Sequence, residues 1–441
     1  MAYPNTRIER LREKLNQVND WAALQHEYGA RGIEEIIARL EQEIETTCAK
    51  IRQLPIDSAL AAREPNDLAA IRALRPEGPR RLWKSFDEAA YADRIEGALL
   101  GRFAGCTLGA PVEFWPIEKM ENLAKENGLS FPPLEYWRYV PEPYEKRYGV
   151  SPREAYTRDK MKGVPVDDDI TYTLLGLLIL EDFGPQFTVT DVGKAWLKYL
   201  PYACTAEDIA LQNLKKGLPA DKAGEIDNPW CEWIGADIRS DPWGYLAPGL
   251  PEAAAEMAWR DAFLSHRRQG IYGEMYFAAV IAAAFAVDDP LEALRIGLTE
   301  IPRECALAQA VRWALEEAPR IRNYQEARRA AESYCAGMSG VHTIINALLT
   351  IWGITLHGKD FSKVIGEVVA MGLDNDCTAA TAGSIVGAVV GKHGIPAHWV
   401  KPFDNTIYTY MIDRQEFKID DVAARFATQA KRVFANGGAS L

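Results

Sequence analysis

The sequence predicts an all-α protein, a compact multi-helix body with long loops, preceded by an N-terminal helical extension. Three observations carry this. Apolar residues recur at three- and four-residue spacing along most of the chain, alternating strand-like patterns are scarce, and stretches rich in Pro, Gly and aromatics separate the periodic segments. With 48% hydrophobic and 25% charged residues, the 441-residue chain has enough apolar material to bury a large core.

At the N-terminus, residues 6–19 and 33–54 read as amphipathic helices. In the second, Ile33, Ile36, Ile37, Leu40, Ile44, Cys48 and Ile51 share one face, and Gly29-Ala30-Arg31-Gly32 before it reads as a turn. Pro65, Pro76 and Pro79 mark an irregular linker. The expected domains are therefore an extension and linker over 1–80 and a main body over 82–441. Helices are expected in the body at 87–109, 170–182, 190–199, 206–216, 252–264, 273–287, 290–299, 304–317, 324–334, 341–352, 360–371, 377–392 and 418–435. Two loops, 110–166 and 217–251, are long enough that a functional role is expected of them.

Net charge is −12 and no basic block is present, which argues against nucleic acid as a partner. Seven cysteines lie without CxxC spacing, against a zinc site or a disulfide framework and in keeping with a reducing cytoplasm. The opening MAYPNTRIER lacks the apolar core of a secretory signal. The longest apolar run, Met275 to Val287, is too short to span a bilayer. A soluble, cytoplasmic protein with no membrane partner is expected, and its oligomeric state is left open.

Two segments carry small residues at every fourth position: Gly97, Gly101, Gly105 and Gly109, then Ala379, Gly383, Gly387 and Gly391. Glycine inside a helix is about 1 kcal/mol less favourable than alanine. Such a stripe is expected only where something approaches closely. Membrane packing would use the same spacing, but Arg102 and the shortness of each run oppose it. Two buried helices with touching backbones are expected instead.

Carboxylates cluster at the ends of these segments. Asp167, Asp168 and Asp169 open the apolar run ITYTLLGLLIL, Asp374 and Asp376 open the second ladder, and Glu113 follows the first. Helix capping accounts for one aspartate at a helix start. Three adjacent ones in apolar surroundings repel one another and resist desolvation. A hard divalent cation would relieve both penalties, since Mg²⁺ and Mn²⁺ favour carboxylate oxygens.

The segments GALLGRFAGCTLGAPVEF (97–114), VDDDITYTLL (166–175) and MGLDNDCTAATAGSIVGAVVG (371–391) resemble the three signature segments of the ADP-ribosylglycohydrolase family. The resemblance covers about 85–400. It implies an all-α fold with a centre of two Mg²⁺ or Mn²⁺ ions at the bottom of a cleft. By position, it implies metal ligands among Asp167, Asp168, Asp169, Asp374, Asp376 and Cys377, and catalytic roles for Glu113, Asp168 and Asp376. Asp167 and Ile170 stand where the family's pattern has threonines, and Cys377 stands where a third is usual.

The middle of the chain supplies candidates for substrate binding. Arg239 could fork onto a phosphate or carboxylate, or form a structural salt bridge. Asp241, His266, Gly270 and Tyr272 lie in turn-rich segments near it; a core role is the alternative for His266. Loop tryptophans, among them Trp115, Trp137, Trp230, Trp233 and Trp243, could stack a base or pack loops onto the body. The stretch 138–165 reads as a lid or substrate-selecting loop. The function implied is hydrolysis of an N-glycosidic bond to (ADP-)ribose, in an ADP-ribosylated protein or a small nucleoside-like metabolite. Alternatives are a non-catalytic, crystallin-like binding member of the fold and a two-metal phosphohydrolase.

Overall fold

The computed structural model describes residues 5–436; residues 1–4 and 437–441, at the outer ends of the two expected domains, lie outside the described residues. Among these, helices dominate, and the strands are limited to two two-stranded antiparallel hairpins. Each of the thirteen body helices expected from periodicity is present, with ends shifted by a few residues. Among the described residues, no helix is long and apolar enough to cross a membrane.

The chain forms two compact units. The smaller comprises the chain up to Ala62 together with Ala336–Met338. It contains helices Asn5–Glu27 and Ile33–Arg52, and the apolar stripe of the second is only part-covered, with no residue fully buried. The larger comprises Arg63–Cys335 and the chain from Ser339 onward.

Residues 63–80, expected as linker, fold with the body. Asp67 caps the short helix Leu68–Leu74 by accepting from Ala70 N at 2.9 Å. Ile71 is fully buried, and Arg75 pairs with Glu300 at 2.7 Å.

Inside the large unit, Glu88–Gly109 and Asn375–Val390 run antiparallel as the two ladder helices. A Cβ built on Gly97 would lie 2.3 Å from the Gly387 carbonyl oxygen, one on Gly101 2.2 Å from that of Gly383, and one on Gly105 2.0 Å from that of Ala379. No side chain fits at these rungs, so the backbones meet, as the spacing predicts. The rest of the core closes over this pair. Every residue of Gln269–Ala284 is buried, as are Thr343–Ile354 of the helix that ends at His357. Backbone contact holds the ladder helices in one relative register, and that register decides which residues meet at their ends.

Candidate active site

At the last rung, a Cβ on Gly109 would fall 2.5 Å from both Asn375 O and Asp376 Cα. The C-terminus of the first ladder helix therefore abuts the N-terminus of the second. Beyond it, Glu113 ends a short turn of 3₁₀ helix, and Phe114, at φ 57°, donates its N–H to Leu373 O at 2.9 Å. This bond ties Glu113 to the segment that carries Asp374. The helix Asp168–Phe183 brings the third group of carboxylates.

Ligand atoms of Glu113, Asp374 and Asp376 lie within 4.8 Å of one another, as do those of Asp169, Asp376 and Cys377, and those of Cys106, Asp167 and Asp169. Capping explains only part of this. Asp167 does accept from Asp169 N at 3.2 Å, whereas Asp374, at the cap position of its helix, makes no side-chain cap bond. Asp169 Oδ2, Asp374 Oδ1 and Asp376 Oδ1 are buried with no hydrogen-bond partner in the protein. Orphaned, desolvated carboxylate oxygens in the two groups that share Asp376 are the donor type of a hard divalent cation, so these residues fit Mg²⁺ or Mn²⁺. Burial, then the charge of Asp376, holds the carboxyl of Asp374 well above the usual range. Burial also raises Asp169, against the pull of Arg102.

Two arginines brace the cluster. Arg102, fully buried on the first ladder helix, donates to Asp169 Oδ1 at 3.0 Å, Asp241 Oδ2 at 2.6 Å and Thr173 Oγ1 at 2.6 Å. Its hold on Oδ1 leaves Oδ2 of Asp169 for a ligand. Arg147 enters from the loop 138–165, where strands Lys146–Arg147 and Ser151–Pro152 pair around a tight turn. It donates to Glu113 Oε2 at 2.6 Å, Asp376 Oδ2 at 2.9 Å and Asp167 Oδ2 at 3.0 Å. The next residue, Tyr148, donates to Asp168 Oδ1 at 2.7 Å. The stretch expected as a lid thus delivers two side chains to the carboxylates.

Part of the cluster lines a cavity of about 450 Å³. Phe114, Tyr148, Tyr172 and Trp233 supply aromatic wall, and Glu113, Asp168, Glu207, Asp374 and Asp376 supply carboxylates. No lysine, arginine or histidine is among the described lining residues. Burial, and next the charge of Asp376, push the Glu113 carboxyl up to about 7 despite Arg147. Burial likewise takes Glu207 to about 7 although Arg239 pulls it down. Cys377 lines the cavity with a thiol that burial and the surrounding carboxylates push up.

The five residues expected to bind substrate do not line this cavity. Arg239 is buried among Asp261 at 2.7 Å, Glu207 at 3.0 Å and Glu274 at 3.3 Å, the structural salt bridge that was its alternative. Asp241 is engaged by Arg102 and by the Tyr245 hydroxyl at 3.1 Å. His266 is fully buried, with Nδ1 2.8 Å from Ser265 Oγ. A Cβ on Gly270 would meet Cys231 O at 2.6 Å, and Tyr272 donates to Pro65 O at 2.5 Å. Of the five, Arg239 supports the wall from behind through its bond to Glu207. Of the loop tryptophans, Trp233 faces the cavity, while Trp137 and Trp243 are core. Arg147, Tyr148 and Glu207 were not anticipated. Their one sequence signal was membership of long loops or loop-flanked helices beside the carboxylates.

The fold has a counterpart among solved structures. An ADP-ribosylglycohydrolase-related protein complex matches with a TM-score of 0.53 at 20% identity, covering 78% of this chain and 99% of that one. No curated protein matches the chain. The sequence pattern of the ADP-ribosylglycohydrolase family matches residues 87–433, and the chain belongs to that family.

Proposed function

We propose that this protein is a divalent-cation-dependent hydrolase of an N-glycosidic bond to ribose, acting on an ADP-ribosyl group or a smaller ribosyl N-glycoside. The observation that carries this is the pair of buried, unpartnered oxygens of Asp374 and Asp376 in the lining of an aromatic-walled cavity, with that of Asp169 grouped beside Asp376, in a chain of this family. Those three residues, with Cys377 beside them, would hold Mg²⁺ or Mn²⁺, which supplies Lewis-acid binding of the ribose hydroxyls. Phe114, Tyr172 and Trp233 offer ring faces to a departing base. Asp168 faces the cavity and places negative charge where an oxocarbenium-like ribosyl centre develops. Glu113, with a carboxyl near 7, is matched to take a proton from the attacking water. A cavity with five carboxylates and no basic side chain suits the sugar and a neutral or cationic base better than it suits a diphosphate.

The test is product analysis with purified protein and Mg²⁺ on ADP-ribosylated arginine and on a ribonucleoside. Release of ADP-ribose or ribose, reduced at least a hundredfold in Glu113→Gln and Asp168→Asn, is the expected result. Release of inorganic phosphate from an ADP-ribose substrate would point to the phosphohydrolase instead. No turnover and no Mg²⁺-dependent thermal stabilisation would indicate a non-catalytic member of the family.

A further inference from the structure

We infer that the Arg147 guanidinium stands in for one cation of the metal pair that the family resemblance implies, so that this chain binds a single divalent ion beside a built-in arginine. The inference rests on the divalent-cation reading above. Its key is Asp376, whose two oxygens have different surroundings. Oδ2 accepts from Arg147 Nη2 at 2.9 Å, while Oδ1 is buried without a partner, as are Asp169 Oδ2 and Asp374 Oδ1. A carboxylate that divides its oxygens in this way bridges two cationic positions. One is open to an ion and one is filled by protein.

The filled position gathers the ligands a second hard cation would need. Arg147 Nη2 also meets Asp167 Oδ2 at 3.0 Å, and Nη1 meets Glu113 Oε2 at 2.6 Å and Ala110 O at 2.9 Å. Three carboxylates from three chain segments and one carbonyl converge there, and the two terminal nitrogens of the guanidinium meet all four, while its Nε is buried without a partner. Asp167 occupies a position where the family's pattern has threonine. The additional carboxylate and the arginine that binds it therefore cancel in charge.

Nor is Arg147 a surface side chain that has swung inward. Its side chain is 11% exposed, with its guanidinium carbon 5.4 Å from the ring centre of Tyr148 and 5.7 Å from that of Tyr156. Tyr148 is itself fixed by its bond to Asp168 and by Tyr202, which donates to its carbonyl at 2.8 Å. To admit a second ion, the three carboxylates would have to release Arg147 and leave a permanently charged group buried without a partner.

Counting bound Mn²⁺ on the full-length protein tests this, by calorimetric titration together with electron paramagnetic resonance. The wild type is expected to bind one equivalent and give the spectrum of an isolated ion. Arg147→Gln, which removes the charge and keeps much of the bulk, is expected to bind two, with an exchange-coupled spectrum. Arg147→Lys keeps a cation in place and is expected to stay at one. Two equivalents in the wild type, or one in Arg147→Gln, would overturn the inference while leaving the divalent-cation reading intact. No binding by any of the three would overturn both. Should Arg147→Gln fail to fold by circular dichroism, the wild-type count and spectrum decide alone.

Discussion

Gly109 and Asp376 touch backbone to backbone: a Cβ on the glycine would lie 2.5 Å from the aspartate's Cα. This contact joins fold to site, since the ladder that packs the two helices also sets the position of a carboxylate shared by two of the three ligand groups. Gly109→Ala keeps a helical backbone but pushes against main chain, which cannot move aside as a side chain can. Overpacking of this kind destabilises by about 1–3 kcal/mol. The displaced Asp376 is expected to weaken Mn²⁺ binding by roughly 10–100-fold, the range seen when the support of a metal ligand is lost. Calorimetric titration and thermal denaturation of the same sample would check both.

Asp374 makes the opposite prediction for stability. Its carboxylate is buried, has an unpartnered oxygen and is raised by burial and by Asp376. Asp374→Asn removes a repelling charge while keeping the shape. The metal-free variant is expected to melt a few degrees above the metal-free wild type, by roughly 1 kcal/mol. It is also expected to lose the rise in melting temperature that Mg²⁺ produces in the wild type. A variant less stable than the wild type without metal, yet still responsive to Mg²⁺, would mean that Asp374 is structural.

Arg102 positions Asp169 from behind the cavity, where its Nη2 also donates to the carbonyl of Ile238, a residue of the lining. Arg102→Met leaves Asp169 and Asp241 buried without their cation. Breaking such a pair destabilises by about 3–5 kcal/mol. Arg102→Lys keeps the charge but cannot bond Asp169, Asp241 and Thr173 at once. It is expected to fold and to bind Mn²⁺ more weakly, which separates positioning from stability.

His266 gives the pH dependence. Burial, reinforced by Arg239 and Arg267, holds its imidazole well below the ordinary value. Its neutral form therefore belongs to the folded state and its cation to the unfolded chain. The stability it contributes is complete above its unfolded pKa of about 6.5 and is lost as pH falls toward the folded value, at up to about 1.4 kcal/mol per pH unit. Denaturant unfolding at pH 7.5 and pH 5.0 is expected to show the wild type losing stability relative to His266→Gln on acidification. An equal difference at both pH values would contradict the assignment.

The ladders and the aspartates were legible in the sequence because their spacing has few physical explanations. Glycine every fourth residue is tolerated only at touching backbones, and adjacent aspartates in apolar surroundings call for compensating partners, of which Arg102, Arg147 and Tyr148 supply part. The helix Ile117–Asn127 was concealed in an expected loop, although Met120, Leu123 and Ala124 form its buried face. Its charged exposed face and flanking Pro116 obscured that short period. Arg147 was not legible, because an arginine among tyrosines and prolines reads as solvated loop until the hairpin turns it inward. Arg239 and His266 misled for the converse reason. A buried arginine satisfied by three carboxylates and a buried neutral histidine look, in sequence, like residues awaiting a ligand.

The central claim is that a divalent ion bound by Asp169, Asp374 and Asp376 holds a ribose in the cavity beside Glu113. Crystals grown with Mn²⁺ and ADP-ribose, measured at the manganese absorption edge, test it most directly. The account predicts an anomalous peak within about 2.5 Å of oxygens from those aspartates, in the usual range for such ligands, with the ribose hydroxyls on the same ion. Manganese elsewhere, or ADP-ribose bound with its ribose away from the carboxylates, would contradict it.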